Sequence, residues 1–449
     1  MLTGVDIRST DDIAVYSINR SPHSKDATLV LPTDALDRDY VIAVHKPQRY
    51  YTTTTGLVGV TNNTVITIEI PPSNLNRTIV IEYNNQQFRN NDSFTVTLGA
   101  YETLQLKSVD DICGLKMTSN DASFGVISGS TYMPSSATPA TDTMQIYGHI
   151  EEQAIPISAW GTHFIAVPFN HRNGSGGDVF KIVALHENTS IDITTDCGST
   201  VVALQSCQAV DVDHTDHLLP SSYVAITSSH PVAVLQYYCS SVSATSSSCD
   251  QYLVTIPSLE QEETEYIFSS ADDTPEMITL VMNSAHAHGL VIDGTSVDAS
   301  ADDVMMLSIN QASANANYTA FRLPMRSGNH NITNVNRDAS LSAISQSSPI
   351  GLKLDVAVVT ADGYDVSSND AYTVAYESGE SGGGDDDSSQ DSDSDSAPLA
   401  PDVIAIIVTL VSAVFFVIVV IVGFVLSETV CKDGGPCRGG GKVAPYNIT

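Results

Sequence analysis

Positive charge is scarce in this sequence. Its 449 residues carry 19 Lys+Arg against 52 Asp+Glu, a formal charge of −33. A nucleic-acid backbone and an anionic lipid surface both select clustered cations, so neither is a partner for this chain. Cysteine is also scarce, at seven, and none of it has the Cys-x-x-Cys spacing of zinc or redox sites. Catalytic signatures are missing too. There is no Gly-x-Ser-x-Gly elbow, no His-Glu-x-x-His, no Gly-Lys-Ser/Thr phosphate loop and no dinucleotide fingerprint. No enzymatic activity and no cofactor are expected on these grounds. The Gly-rich stretch Asn173–Asp178 is expected to be a plain loop between strands.

Helical periodicity is absent from residues 1–376. Instead, runs such as Val65–Ile70, Thr78–Tyr83, Ser93–Leu98, Asp178–Val183 and Met277–Met282 are rich in Val, Ile, Thr and Phe and separated by turn residues. Several alternate apolar and polar, as antiparallel strands with one wet face do. With 42% hydrophobic and only 16% charged residues, this part has the composition of a folded all-β body, not of a polyelectrolyte.

The body repeats itself. Ile7–Val15 returns as Met117–Val126, as Ile226–Val234 and as Ile344–Leu352, each a strand, a polar turn and a second strand, hence a predicted hairpin. After the copies come Leu29–Pro32, Ala154–Pro156 and Val254–Pro257, then Gly59–Ile68 and Ala184–Ile193, another predicted hairpin pair. About three units are expected, arranged as packed sandwiches or as a propeller-like ring, with the chain opening partway through one.

Residues 377–402 are dominated by Gly, Ser and Asp and read as an extended acidic stalk. Val403–Leu426 follows as 24 uncharged residues, long enough to cross a bilayer as a helix. Lys432, Arg438 and Lys442 come after it, so residues 427–449 are expected inside and the body outside, at the plasma membrane. The opening MLTGVDIRSTDD has no leader pattern, and an incomplete N-terminus is expected. In an oxidising exterior, Cys197 with Cys207 and Cys239 with Cys249 are the local disulfide candidates, leaving Cys113 over. Cys431 and Cys437 are juxtamembrane palmitoylation candidates. Glycosylation sequons stand at Asn62, Asn76, Asn91, Asn173, Asn188, Asn317 and Asn331. Asp211–His217 gathers carboxylates and two imidazoles, and His286 with His288 would share a strand face, but a satisfied or solvated role outweighs a metal site for both.

Four strings then carry a resemblance: Ala27–Tyr40, Glu152–Pro168, Gly177–Val183 with Asn188-Thr189, and Pro231–Tyr237. In this order they resemble the N-terminal domain of the IgGFc-binding protein family, over nearly all of residues 1–350. The resemblance implies an extracellular domain of secreted or cell-surface proteins. The cysteine-dense von Willebrand type D modules that accompany the domain in mucus proteins are missing, so immunoglobulin binding is not carried over. The expectation is a surface binding or adhesion protein that takes an extracellular protein or glycan ligand. The alternatives are a surface carbohydrate-active enzyme and a structural coat or mucus-layer component.

Overall fold

The structure, a computed structural model, describes residues 4–347 apart from several loops, the longest being 135–146, 169–177, 213–221 and 239–251, together with residues 403–407. Among the described residues there is no α-helix; the regular structure is antiparallel strand with short 3-10 turns. Strands β1 (Val5–Ser9), β2 (Val15–Arg20) and β3 (Lys25–Val30) come first. The first full unit contains β4 (Asp39–Val41), β5 (Thr53–Gly59), β6 (Thr64–Glu69), β7 (Val80–Tyr83) and β8 (Gln86–Arg89). It continues with β9 (Ser93–Leu98), β10 (Thr103–Ser108), β11 (Lys116–Ser119), β12 (Phe124–Pro134) and β13 (Tyr147–Gln153). These form two sheets, β4-β11-β6-β9 and β10-β5-β12-β13, with β7 and β8 as a separate hairpin.

The second unit repeats the plan with β14 (Gly161–Ala166), β15 (Asp178–Ala184), β16 (Thr189–Thr195) and β17 (Ser199–Leu204). Its remaining strands are β18 (Ala209–Val212), β19 (Val224–Tyr238) and β20 (Tyr252–Ile256). The third unit comprises β21 (Tyr266–Ser270), β22 (Glu276–Asn283), β23 (Leu290–Ile292), β24 (Thr295–Ser296), β25 (Met305–Ser313), β26 (Ala316–Met325), β27 (Gly328–Asn334) and β28 (Leu341–Ser347). Its sheet orders, β21-β27-β23-β24 and β25-β26-β22-β28, follow those of the second unit except that β26 is inserted and, among the described residues, β20 has no counterpart. The repetition legible in the sequence is therefore a repetition of topology.

The predicted hairpins are something else: β1 and β2, β11 and β12, and β15 and β16 do not pair with each other, and two further cases show why. Val224–Ser228 of β19 pairs with β14 and β16, whereas Val232–Tyr238 of the same strand pairs with β15 and β20. The segment crosses from one sheet to the other, and Pro231, which has no N–H for a ladder, sits at the crossing. Gly59–Ile68 crosses likewise, because β5 and β6 pair with different partners and not with each other. In the third unit the crossing lies between β27 and β28, about a dozen residues earlier than the Ile344–Leu352 copy placed it.

Alternation fills the space between the sheets. In β16 the odd positions from Thr189 are buried and Ser190 and Asp192 are exposed. Phe164, Phe180, Ile191, Ile226, Val234 and Val254, drawn from both sheets, form one buried cluster. Each such side chain contributes roughly 1.5–3 kcal/mol when withdrawn from water. Two facing strand layers thus enclose one core in the manner of a sandwich, joined in the second unit through β19 into one seven-stranded sheet. The units stack through their outer faces. Ile165 of β14 and Ala225 of β19 meet Val281 of β22 and Ala320 of β26 at the second joint. At the first joint Val41 of β4 shares a cluster with Ala233 and Leu235 of β19.

Equivalent edge strands of successive units are laced by side chains. Asp26 Oδ2 on β3 accepts the Glu151 N–H of β13 at 2.7 Å, and Thr28 Oγ1 accepts the Gln153 N–H at 3.0 Å. Gln153 Oε1 in return accepts the Leu31 N–H at 3.0 Å, and Glu152 Oε1 accepts the Thr255 N–H of β20 at 2.9 Å. Asp26, Thr28 and Glu151–Gln153 are all buried. Asp26→Ala orphans the Glu151 N–H and that of Ala27, whose bond to Oδ1 is 3.0 Å. It is expected to cost roughly 2–4 kcal/mol in thermal or denaturant unfolding. A loss below about 0.5 kcal/mol would contradict this bonding.

Candidate functional site

The chemistry that the fold concentrates lies at the joints. At the first joint, the chain leaves β13 through Pro156 into a 3-10 turn, Ile157–Ala159, which presents Trp160 beside Glu152. Both line a cavity of about 20 Å³, with Val41, Ala43, Ala233 and Leu235 among its apolar walls. This is room for roughly one water-sized group. Trp160 Nε1 and Glu152 Oε2 are buried and have no hydrogen-bond partner among the described residues. Nearby, Lys181 of β15 is buried, with Nζ 2.7 Å from Asp211 Oδ1, the residue opposite it on β18. Burial works against the ammonium, but Cys113, Asp211 and Asp111 outweigh it and hold its pKa above the ordinary value.

The second joint gathers carboxylates. Glu260 lies in the 3-10 turn Leu259–Gln261, the counterpart of Ile157–Ala159. Thr162 Oγ1 donates to Glu260 Oε1 at 2.5 Å, its N–H does so at 3.1 Å, and His163 Nδ1 stands 2.9 Å away. Burial opposes the charge on Glu260, yet the Thr162 and His163 contacts bring its pKa down to about 2. Two residues on, burial pushes the Glu262 carboxyl up to about 7; the Ser340 hydroxyl, donating at 2.8 Å, opposes this and the Glu260 charge adds to it. Glu262 Oε1 is buried with no partner among the described residues. Tyr318, which feels both carboxylates, and Tyr266, which feels Glu262 and Glu263, are both raised, chiefly by burial. Arg322 of β26 crosses the joint to donate to the Pro168 carbonyl.

The residues singled out in the sequence fall elsewhere. Cys197 and Cys207 lie beyond opposite ends of β17, whose six extended residues span roughly 20 Å. A disulfide needs Cα atoms within about 7 Å, so the expected local bridge is corrected: the fold separates this pair. Cys113 is buried at the first joint. Cys239, Cys249, Cys431, Cys437, Asn76, Asn173 and the histidines of Asp211–His217 lie outside the described residues, as do the stalk and the tail. Of the expected membrane span only Val403–Ile407 is described, as β29, antiparallel to β1; residues 408–426 lie outside the described residues. His286 and His288 do not share a strand face, because Ala287–Gly289 is a 3-10 turn in which residues two apart diverge. Among the described residues no three His, Cys, Asp or Glu side chains form a metal-binding group. Asn62, Asn91, Asn188 and Asn317 are exposed and Asn331 is half-buried.

Sequence reasoning missed Glu152, Trp160, Glu260 and Glu262 as a set. Glu152 and Trp160 sit inside one of the strings that carried the resemblance, and the Glu-rich run 260–263 follows Pro257 as Trp160 follows Pro156. A proline after each edge strand was the available signal.

Antiparallel strand layers packed in series, with ionisable side chains buried at the joints and loops at the surface, define a modular all-β protein. A family model described as IgGFc binding protein matches residues 26–347, and the chain belongs to that family. The human (Homo sapiens) IgGFc-binding protein is 24% identical over 298 residues, which covers 65% of this chain and 5% of that protein. The chain thus spans about a twentieth of that relative's length.

Glu262 sets a pH dependence. With a carboxyl at 4.5 in the unfolded chain and about 7 in the fold, the folded form holds a proton that the unfolded form has shed. Stability therefore falls as pH rises through that window, by roughly 2–3 kcal/mol for this group. Glu262→Gln is expected to match the parent near pH 5 and to exceed it by about that amount at pH 8. Parallel stability–pH curves for the two would refute the assignment.

Proposed function

We propose that this chain is a cell-surface binding protein whose stacked sandwiches recognise an extracellular protein or glycan. The observation that carries this reading is the extent of the family match: residues 26–347 take in almost all of the stacked body, not one motif or loop. The relative's printed name adds a ligand class, the Fc part of immunoglobulin G, as one candidate among glycoproteins. Adhesion follows if the apolar run 403–426 anchors the chain, with residues 377–402 holding the body away from the bilayer. The acidic surplus favours a cationic ligand face, and turns between strands are where a rigid β scaffold carries recognition.

Full-length chain displayed on cells, probed with a glycan array, purified mucosal glycoproteins and immunoglobulin Fc, tests the reading. Saturable binding to one class is expected, and for a cationic ligand it weakens between 50 and about 500 mM salt. An antibody to the body should stain intact cells, and one to residues 427–449 should need permeabilisation. A second reading is favoured by Glu260 and Glu262, two carboxyls whose pKa values are pushed apart as an acid and its partner are in carbohydrate-active enzymes. Glycoside hydrolysis abolished by Glu260→Gln, with no saturable ligand in the display assay, would replace the first reading with the second.

A further inference from the structure

In each unit, two neighbouring connections among those that cross between its sheets meet at one corner. In the first unit these join β5 to β6 and β11 to β12; in the second, β15 to β16 and the two halves of β19; in the third, β22 to β23 and β27 to β28. The first two corners are built alike. Asn63 and Asn188 take left-handed φ of 63° and 56°. The next residues, Thr64 and Thr189, are fully buried and donate back to Thr61 O at 2.9 Å and His186 O at 2.7 Å. A sequon asparagine stands at each: Asn62 beside the first αL position, and Asn188 at the second.

The third unit reaches the same corner by another route. Its inserted strand β26 begins there, with Tyr318 paired to Asn283 at the end of β22, and Asn317 O accepts the Ser284 N–H at 2.9 Å. Asn317 is exposed and is followed two residues later by Thr319, so it too heads a sequon. Three sequons of different local sequence thus occupy one topological corner, once per unit.

The amide nitrogen decides which sequons can carry a sugar in the folded chain. Asn62 accepts the Ala100 N–H through Oδ1 at 3.0 Å, and Asn188 accepts Gln205 Nε2 through Oδ1 at 3.3 Å. Neither uses Nδ2 among the described contacts. Asn331 is the opposite case. It lies inside β27 opposite Ile267, its Nδ2 donates to Glu265 Oε1 at 2.6 Å, and its own Oδ1 is buried. A glycan on that nitrogen would put a bulky sugar on the half-buried amide that is already bonded to Glu265. Asn91 is exposed in the β8–β9 turn, away from this corner.

We propose that Asn62, Asn188 and Asn317 carry N-linked glycans, one at the sheet-crossing corner of each stacked unit, and that Asn331 carries none. In each transfer the asparagine Nδ2 forms a bond to C1 of a lipid-diphosphate oligosaccharide supplied by the secretory pathway. The C1–O bond to the diphosphate breaks, the lipid diphosphate leaves, and Nδ2 gives up one proton to the transferase. Ligands are then received away from these corners, since a flexible hydrated sugar covers each. The inference rests on the extracellular reading above.

The test is expression of the full-length chain in a secretory host, followed by enzymatic release of N-glycans in heavy-oxygen water and peptide mass spectrometry. Heavy-oxygen aspartate is expected at positions 62, 188 and 317 and unmodified asparagine at 331. Asn62→Gln, Asn188→Gln and Asn317→Gln should each remove one glycan step on a gel, and Asn331→Gln none. Glycans at other sequons with bare corners, or a glycan at Asn331, would overturn this inference while leaving the extracellular reading intact. A chain without any N-glycan that also escapes surface biotinylation would overturn the extracellular reading itself.

Discussion

The stack depends on how it treats the free edge of a β-sheet. An edge strand presents unpaired N–H groups, and a buried one without acceptors is costly. Here the edges of consecutive sandwiches are not extended into one continuous sheet by backbone pairing. They are tied through Asp26, Thr28, Gln153 and Glu152, whose oxygens take N–H groups of the neighbouring strand. Side chains of fixed length set the offset between units more loosely than a backbone ladder would, and each unit keeps its own core. The same geometry explains why buried carboxylates and amides recur at the first joint in a chain that has so few bases to pair with them.

The joints also contain the groups that a sandwich interior would not accommodate. Lys181 survives burial because it stands opposite Asp211 with Cys113 and Asp111 close by. Glu260 stays charged because Thr162 and His163 supply donors, while Glu262, two residues away, is pushed up to about 7 by burial, with one oxygen unpartnered among the described residues. Placing ionisable side chains between units leaves each core apolar and puts the pH sensitivity where units meet. Most of the surplus negative charge stays at the surface, where it sets a negative potential around the body.

Much of this was legible in the sequence. Strand positions such as Ser93–Leu98 and Asp178–Val183 followed from alternation, and the repeat spacing followed from recurring strand–turn–strand segments. What pairing those segments adopt was not legible. A strand, a polar turn and a strand look the same whether the two strands bond each other or diverge into facing sheets, because inward and outward positions alternate in both cases. Hence Ile226–Val234 read as a hairpin though it crosses the sandwich. The expected Cys197–Cys207 bridge failed for a related reason: ten residues of separation suits a loop closure only if the intervening chain turns back, and β17 runs straight. Glu152 and Glu262 were hidden among many carboxylates, since burial comes from partners distant in sequence, Thr255 and Ser340.

Amide hydrogen exchange at Glu151, Gln153 and Thr255 is the most direct test of edge strands joined by side chains in a serial stack. Exchange as slow as that of the ladder amides in β12 and β19 is predicted, with protection at Glu151 lost selectively in Asp26→Ala. Exchange at the rate of an open edge in the parent chain would contradict the account.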